Sequence, residues 1–224
     1  MTSKLRVVIE ATGKRAFASA LDWPGWSRGA KTREAALEVL LAYAERYATV
    51  ASLAGVASIA GVALPAGPLE LEVVGEAEGD ASTDFGVPGR VSDAERGPMD
   101  VVEARRRADL VAAAWRHFDA IAAAAPEELR KGPRGGGRDR SKVVDHVVMA
   151  DHGYCRELGL HRPAPDSHDP ASVAAQRTAM LEVLRQPSDG SPIANRWTAR
   201  YAARRIAWHA LDHAWEIEDR TEPR

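Results

Sequence analysis

Arg205-Ile-Ala-Trp-His-Ala-Leu-Asp-His-Ala-Trp-Glu-Ile-Glu-Asp219 is the stretch on which the reading of this chain turns. It reads as the body of a helix over about 199–219, the last of the sequence. His209 and His213 are four residues apart, and four residues advance about 400° on a helix, so their rings differ by only about 40° in direction. Side chains at that spacing sit one above the other on one face and can converge on one ion. Neutral imidazole is a ligand for zinc, nickel, copper and iron. Glu216 falls within about 20° of His209 on the same wheel, one turn past His213. It suits three roles: an acceptor behind a ligand, a fourth ligand, or a general base, the last making it the catalytic candidate. Asp212 and Arg205 flank this face, where solvated or i,i+4 paired charges are the ordinary expectation.

Three further helices precede this one. A long helix is expected from about Pro98 to Ala125, stopped by Pro126, and a second over about Ser141–Leu158 after the flexible Gly132-Pro-Arg-Gly-Gly-Gly137. Asp169-Pro170 places an acid at the N-cap and proline at the first helical position of a third, running to about Gln186. A third ligand for the His209/His213 pair has to come from another helix. His146, near the middle of the second, is the natural candidate. His152 lies six residues on, roughly 240° round the helix, and does not share that ion. Cys155 faces the opposite way and reads as a small buried hydrophobe. His117 reads as a packing residue, and His161 and His168 as solvated loop residues.

The first part of the chain has a different texture. Leu5-Arg-Val-Val-Ile9 and Lys14-Arg-Ala-Phe-Ala-Ser-Ala20 read as strands joined in a hairpin. Trp23-Pro-Gly-Trp26 is a turn, because proline lacks a donor and glycine favours bends. Thr32 offers an N-cap with Glu34 in the first turn, and apolar residues follow at helical spacing to Tyr47. Residues 49–68 carry no charge and include the near-repeat Leu53-Ala-Gly-Val-Ala-Ser58 and Ile59-Ala-Gly-Val-Ala-Leu64. A membrane span needs about 20 strongly apolar residues. Here glycines and Pro65 interrupt an alanine-rich run, so a helix end and buried linker are expected. Leu69-Glu-Leu-Glu-Val-Val74 alternates as a third strand. Turn formers dominate residues 79–98, so the chain is read as two units with separate cores, residues 1–88 and 98–224. The fold class expected is α+β: a small ββαβ unit followed by a four-helix bundle.

Composition limits the function. The chain has 224 residues and a net charge of −2. Residues 1–88 hold 8 basic and 11 acidic side chains, and the remainder 22 and 21. Neither part has the positive excess of a protein that neutralises many phosphates, so strong nucleic-acid binding is not expected. One cysteine excludes an internal disulfide framework and suits a reducing cytoplasm, and the amino terminus has no signal-peptide core.

The order of a helix with one histidine, a helix, and a helix with His-x3-His resembles the DinB-like superfamily of metal-binding four-helix bundles. Trp208-His-Ala-Leu-Asp-His-Ala-Trp-Glu-Ile-Glu-Asp-Arg220 is especially similar to the last helix of its actinobacterial members. The resemblance covers about residues 98–220. It implies a divalent metal held by His146, His209 and His213, and activity like that of relatives that use mycothiol, bacillithiol or glutathione, among them thiol transferases and a maleylpyruvate isomerase. The sequence runs only a few residues past the last helix, so the extra carboxy-terminal domain of those isomerases is not expected. Residues 1–88, through Asp22-Trp-Pro-Gly-Trp26 and Thr32-Arg-Glu-Ala-Ala-Leu37, are similar to the HicB-like antitoxin domain. The helical unit stands where such antitoxins carry a DNA-binding segment, so toxin neutralisation and operator binding are not carried over.

Three neutral histidines leave a coordination position for water, a thiolate or substrate, the arrangement of a catalytic site. Zinc is the first choice, because it takes three imidazoles and a water, and nickel and iron also suit imidazole. The function expected is metal-dependent transfer or addition of a low-molecular-weight thiol, mycothiol-like as the resemblance implies, to a small electrophile. The alternatives are a non-catalytic module that grips a protein or RNA partner through residues 1–88, and a homodimer-forming structural protein whose histidines pack without metal.

Overall fold

The alternation of Leu5, Val7 and Ile9 extends into a nine-residue strand, β1 (Ser3–Ala11), in the computed structural model, which describes residues 3–55, 69–132 and 137–221. β1 pairs antiparallel with β2 (Ala16–Ala20), as the hairpin reading expects, with Val7 opposite Ala20 and Ala11 opposite Ala16. The Trp23–Trp26 turn then returns the chain into a strand absent from the sequence reading, β3 (Ser27–Ala30), antiparallel to β2. Ser27-Arg-Gly-Ala30 carries no β-branched alternation. Gly29 is small because the Phe17 ring occupies the place of a side chain, with a ring carbon 2.7 Å from where a Cβ would stand.

Thr32 caps α1 (Arg33–Ala42) by accepting from the Ala35 amide. The single helix expected over 32–47 is two. The backbone at Tyr43 leaves helical geometry (φ −93°, ψ 6°), and α2 (Ala44–Leu53) follows. The break lets two tyrosines serve different neighbours. Tyr43 packs edge-on to Trp215 at 5.0 Å, while Tyr47 stacks on Trp26 at 5.1 Å and donates its hydroxyl to the Pro24 carbonyl. Residues 56–68, with most of the near-repeat and the linker expectation, lie outside the described residues. β4 (Leu69–Glu78) joins the free edge of β1 in parallel, giving the order β3-β2-β1-β4.

The turn-rich stretch 79–98 contains a short helix, α3 (Ala81–Phe85), and a 3₁₀ turn at Asp93–Glu95. Four long helices follow: α4 (Val101–Ala124), α5 (Arg140–Glu157), α6 (Pro170–Leu184) and α7 (Ala199–Thr221). Asp100 caps α4, and Asp169 with Pro170 starts α6 as its sequence anticipates. α4 lies against α6 and α7, and α5 against both α6 and α7. The molecule is thus α+β, a mixed four-stranded sheet with seven α-helices among the described residues. None of its described helices is long and apolar enough to cross a membrane.

The two expected units do not keep their apolar residues apart. Leu5, Val7, Ile9, Leu40 and Tyr47 belong to the same buried cluster as Leu110, Val147, Ile206, Leu211 and Trp215. On the other face of the sheet, Phe17 meets Trp208 of α7 edge-on at 6.2 Å. Segment 79–98 clamps the halves instead of separating them. Glu10 of β1 accepts from the Thr83 hydroxyl and from the Gly89 and Arg90 amides. On its far side, buried Glu95 takes two hydrogen bonds from Arg204 of α7, at 2.6 and 3.1 Å.

Candidate metal centre

The α7 register that the core demands also fixes the histidines. Ile206, Ala210, Ala214 and Ile217 are fully buried in the shared core. The residues between them therefore turn His209 and His213 onto a neighbouring stripe, toward α5. His146 enters that stripe from the middle of α5 between buried Val143 and Val147. One imidazole nitrogen from each of His146, His209 and His213 lies within 4.8 Å of the other two. The His209 and His146 Nε2 atoms are 3.2 Å apart. The three ring centroids are separated by 4.8–5.0 Å.

These donors suit a divalent cation on three counts. Two neutral imidazole nitrogens facing each other at 3.2 Å can share a proton or a cation, and tetrahedral ligands at about 2.0–2.1 Å lie roughly 3.4 Å apart. Burial, then the charges of His213 and Arg205, hold His209 well below the usual imidazole range. Burial and His213 lower His146 in the same way, so both rings keep free lone pairs at neutral pH. Finally, His213 Nδ1 lies 2.8 Å from Glu216 Oε2. The contact with His213 holds that carboxyl below its usual range, so it is an ionised acceptor for Nδ1–H. This tautomer leaves Nε2 free, the arrangement by which carboxylates orient metal-binding histidines. The other Glu216 oxygen accepts from Arg220, one turn on, at 2.8 Å.

The walls of the site come from both halves of the molecule. His209 is 7% exposed, with the Tyr154 ring edge-on at 5.8 Å and the Trp208 ring at 6.2 Å. Its Nδ1 is buried with no hydrogen-bond partner among the described residues, so packing and the Nε2 contact with His146 orient this ring. Asp212, between the two histidines in sequence, is partly exposed but paired. It accepts at 2.9 Å from Arg28 of β3, whose guanidinium lies 4.0 Å from the centre of the Tyr43 ring. Burial raises the Asp212 carboxyl and Arg28 opposes the rise. Arg205 does not pair with an i,i+4 acid but lies over the Trp208 and Tyr154 rings.

The remaining sequence candidates lie elsewhere. Cys155 is fully buried, and burial pushes its thiol up to about 11, which makes it inert. His117 is buried on α4 with its imidazole lowered by burial, and His161 and His168 are exposed. Sequence reasoning missed Tyr154, Arg28 and Arg220. Arg220 was within reach, being four residues after Glu216, whereas Tyr154 lies eight after His146, about 80° round the helix. Nothing in the sequence signals Arg28, which reaches the site through the sheet. No family model, curated protein or solved structure matches the chain.

Proposed function

We propose that this protein is a metal-dependent enzyme that joins a low-molecular-weight thiol to a small electrophile, with His146, His209 and His213 holding the cation. The observation that carries the reading is the convergence of three imidazole nitrogens from two helices, one of them fixed in tautomer by Glu216. Three protein donors leave a position for an exchangeable ligand, which distinguishes a reactive centre from a closed structural one. A divalent cation bound there supplies Lewis acidity that brings the pKa of a thiol or water toward neutrality. Zinc fits the donor set best, and nickel and iron suit imidazole as well. The thiol class, mycothiol-like, rests on the resemblance of 98–220 to the DinB-like superfamily, as the HicB-like character of 1–88 rests on its own motif.

The chain's own residues have separable tasks in this reading. His146 and His209 supply lone pairs because burial keeps them neutral. Glu216 acts through His213 as a positioning residue, since one oxygen meets that ring and the other Arg220. Tyr154 and Trp208 flank His209 with apolar surface. Arg28 holds Asp212 from the sheet, so the amino-terminal half supports the site instead of hanging beside it.

The test is a conjugation assay with thiol and electrophile, run on metal-loaded wild type and on His213→Ala. Metal-dependent conjugation that disappears in the variant supports the reading. Equal turnover with and without metal, or in both proteins, refutes it.

A further inference from the structure

Beside the three histidines lies Arg205, a cation with no ion pair among the described residues. It sits one turn before His209 on α7, with its guanidinium 4.7 Å from the centre of the Trp208 ring and 5.4 Å from that of Tyr154. Tyr154 and Trp208 are the two rings that flank His209, so Arg205 and His209 share the same aromatic walls. Its NH1 atom is buried and makes no hydrogen bond to any described residue. A buried unsatisfied donor is costly, more so when charged. Asp212 and Glu216, on the same side of α7, are committed to other partners: Asp212 to Arg28, and Glu216 to His213 and Arg220. The three imidazoles beside it carry no negative charge. A guanidinium packed over aromatic rings matches a carboxylate in two-point geometry.

We infer that Arg205 selects the ligand of this centre: it binds the carboxylate of a small anionic thiol or substrate whose reacting end lies at the three histidines. This rests on the metal-centre reading for the reacting end, whereas the anion site stands on Arg205 itself. A purely structural role, covering Trp208 and Tyr154, would leave anion binding untouched.

Two titrations separate the cases. The first adds mercaptoacetate or the uncharged 2-mercaptoethanol to cobalt-loaded protein and follows the visible absorption of the ion. Wild type should saturate at about tenfold lower mercaptoacetate, while Arg205→Gln should take up cobalt normally and lose that preference. Equal response of wild type to the two thiols overturns the inference, as does an unchanged preference in the variant. The second adds acetate to metal-free protein and follows the Arg205 Nε–H resonance, assigned by its loss in Arg205→Lys. A saturable shift of that resonance, absent from the other arginines, supports the anion site. No such shift overturns it. If the protein takes up no cobalt, the metal reading fails, and the acetate titration still decides the role of Arg205.

Discussion

Individual side chains decide whether the site can hold an ion, and Glu216 is the most informative of them. Its carboxylate fixes the His213 tautomer at 2.8 Å, so Glu216→Gln should weaken metal affinity about 10–100-fold while the fold stays intact. Competition against a chelator measures this, and unchanged affinity would show that Glu216 does not orient the ligand. Asp151 of α5 gives a second prediction, in stability instead of function. It is 1% exposed beside Arg177, and burial, opposed by Arg177 and the Trp115 indole, raises its carboxyl to about 7. The folded protein therefore binds a proton that the unfolded chain, with its ordinary carboxyl, has released. Stability from this group falls as pH rises from about 4 to about 7 and is flat above. Asp151→Asn removes the loss, so the variant should gain on wild type, by on the order of 4 kcal/mol, between pH 4 and pH 8. Denaturant midpoints at the two pH values test this, and a variant whose relative stability does not change with pH would contradict it.

Between elements, the contact that most constrains the centre is the Trp23–Trp26 turn against α7. Gly25 has φ 94°, and a Cβ there would lie 2.8 Å from Leu211 Cδ1 and 2.9 Å from Ala207 Cβ. Gly25→Ala adds backbone strain to overpacking and should cost about 2–4 kcal/mol, read from thermal or denaturant unfolding. A neutral outcome would mean that the turn and α7 are not in contact. Ala207 and Leu211 bracket His209, so the same substitution should also weaken metal binding. The turn and α7 are individually legible in the sequence, because Pro-Gly and His-x3-His are local signals. Their contact is not, since nothing local records that residue 25 meets residue 211. The split at Tyr43 was hidden for a related reason: the helical periodicity runs through it, and the break is imposed by the demands of Trp215 and Trp26. The convergence of His146 with the α7 pair was legible only in outline. Spacing orients the pair, but which helix faces it depends on packing.

Over the whole molecule, the sheet and the long helices share one buried cluster, so unfolding should be a single cooperative event. Far-ultraviolet circular dichroism and tryptophan fluorescence should give coincident transitions, and two separated transitions would restore independent units. Glu95→Ala should lower that common midpoint, since leaving Arg204 buried without its partner costs about 3–5 kcal/mol. The sequence reading divided the molecule because turn-forming residues over 79–98 look like a linker. Glu10, Glu95 and Arg204 give no local hint that they pin this segment from both sides. One ion held by His146, His209 and His213 is the central claim, and metal analysis of protein purified without a histidine tag tests it most directly. Wild type should carry about one equivalent of divalent metal, and the triple alanine variant should carry none while keeping its circular dichroism, because the four packed helices do not need the ion. A wild type that takes up no stoichiometric metal, or a triple variant that takes up as much, would contradict the account.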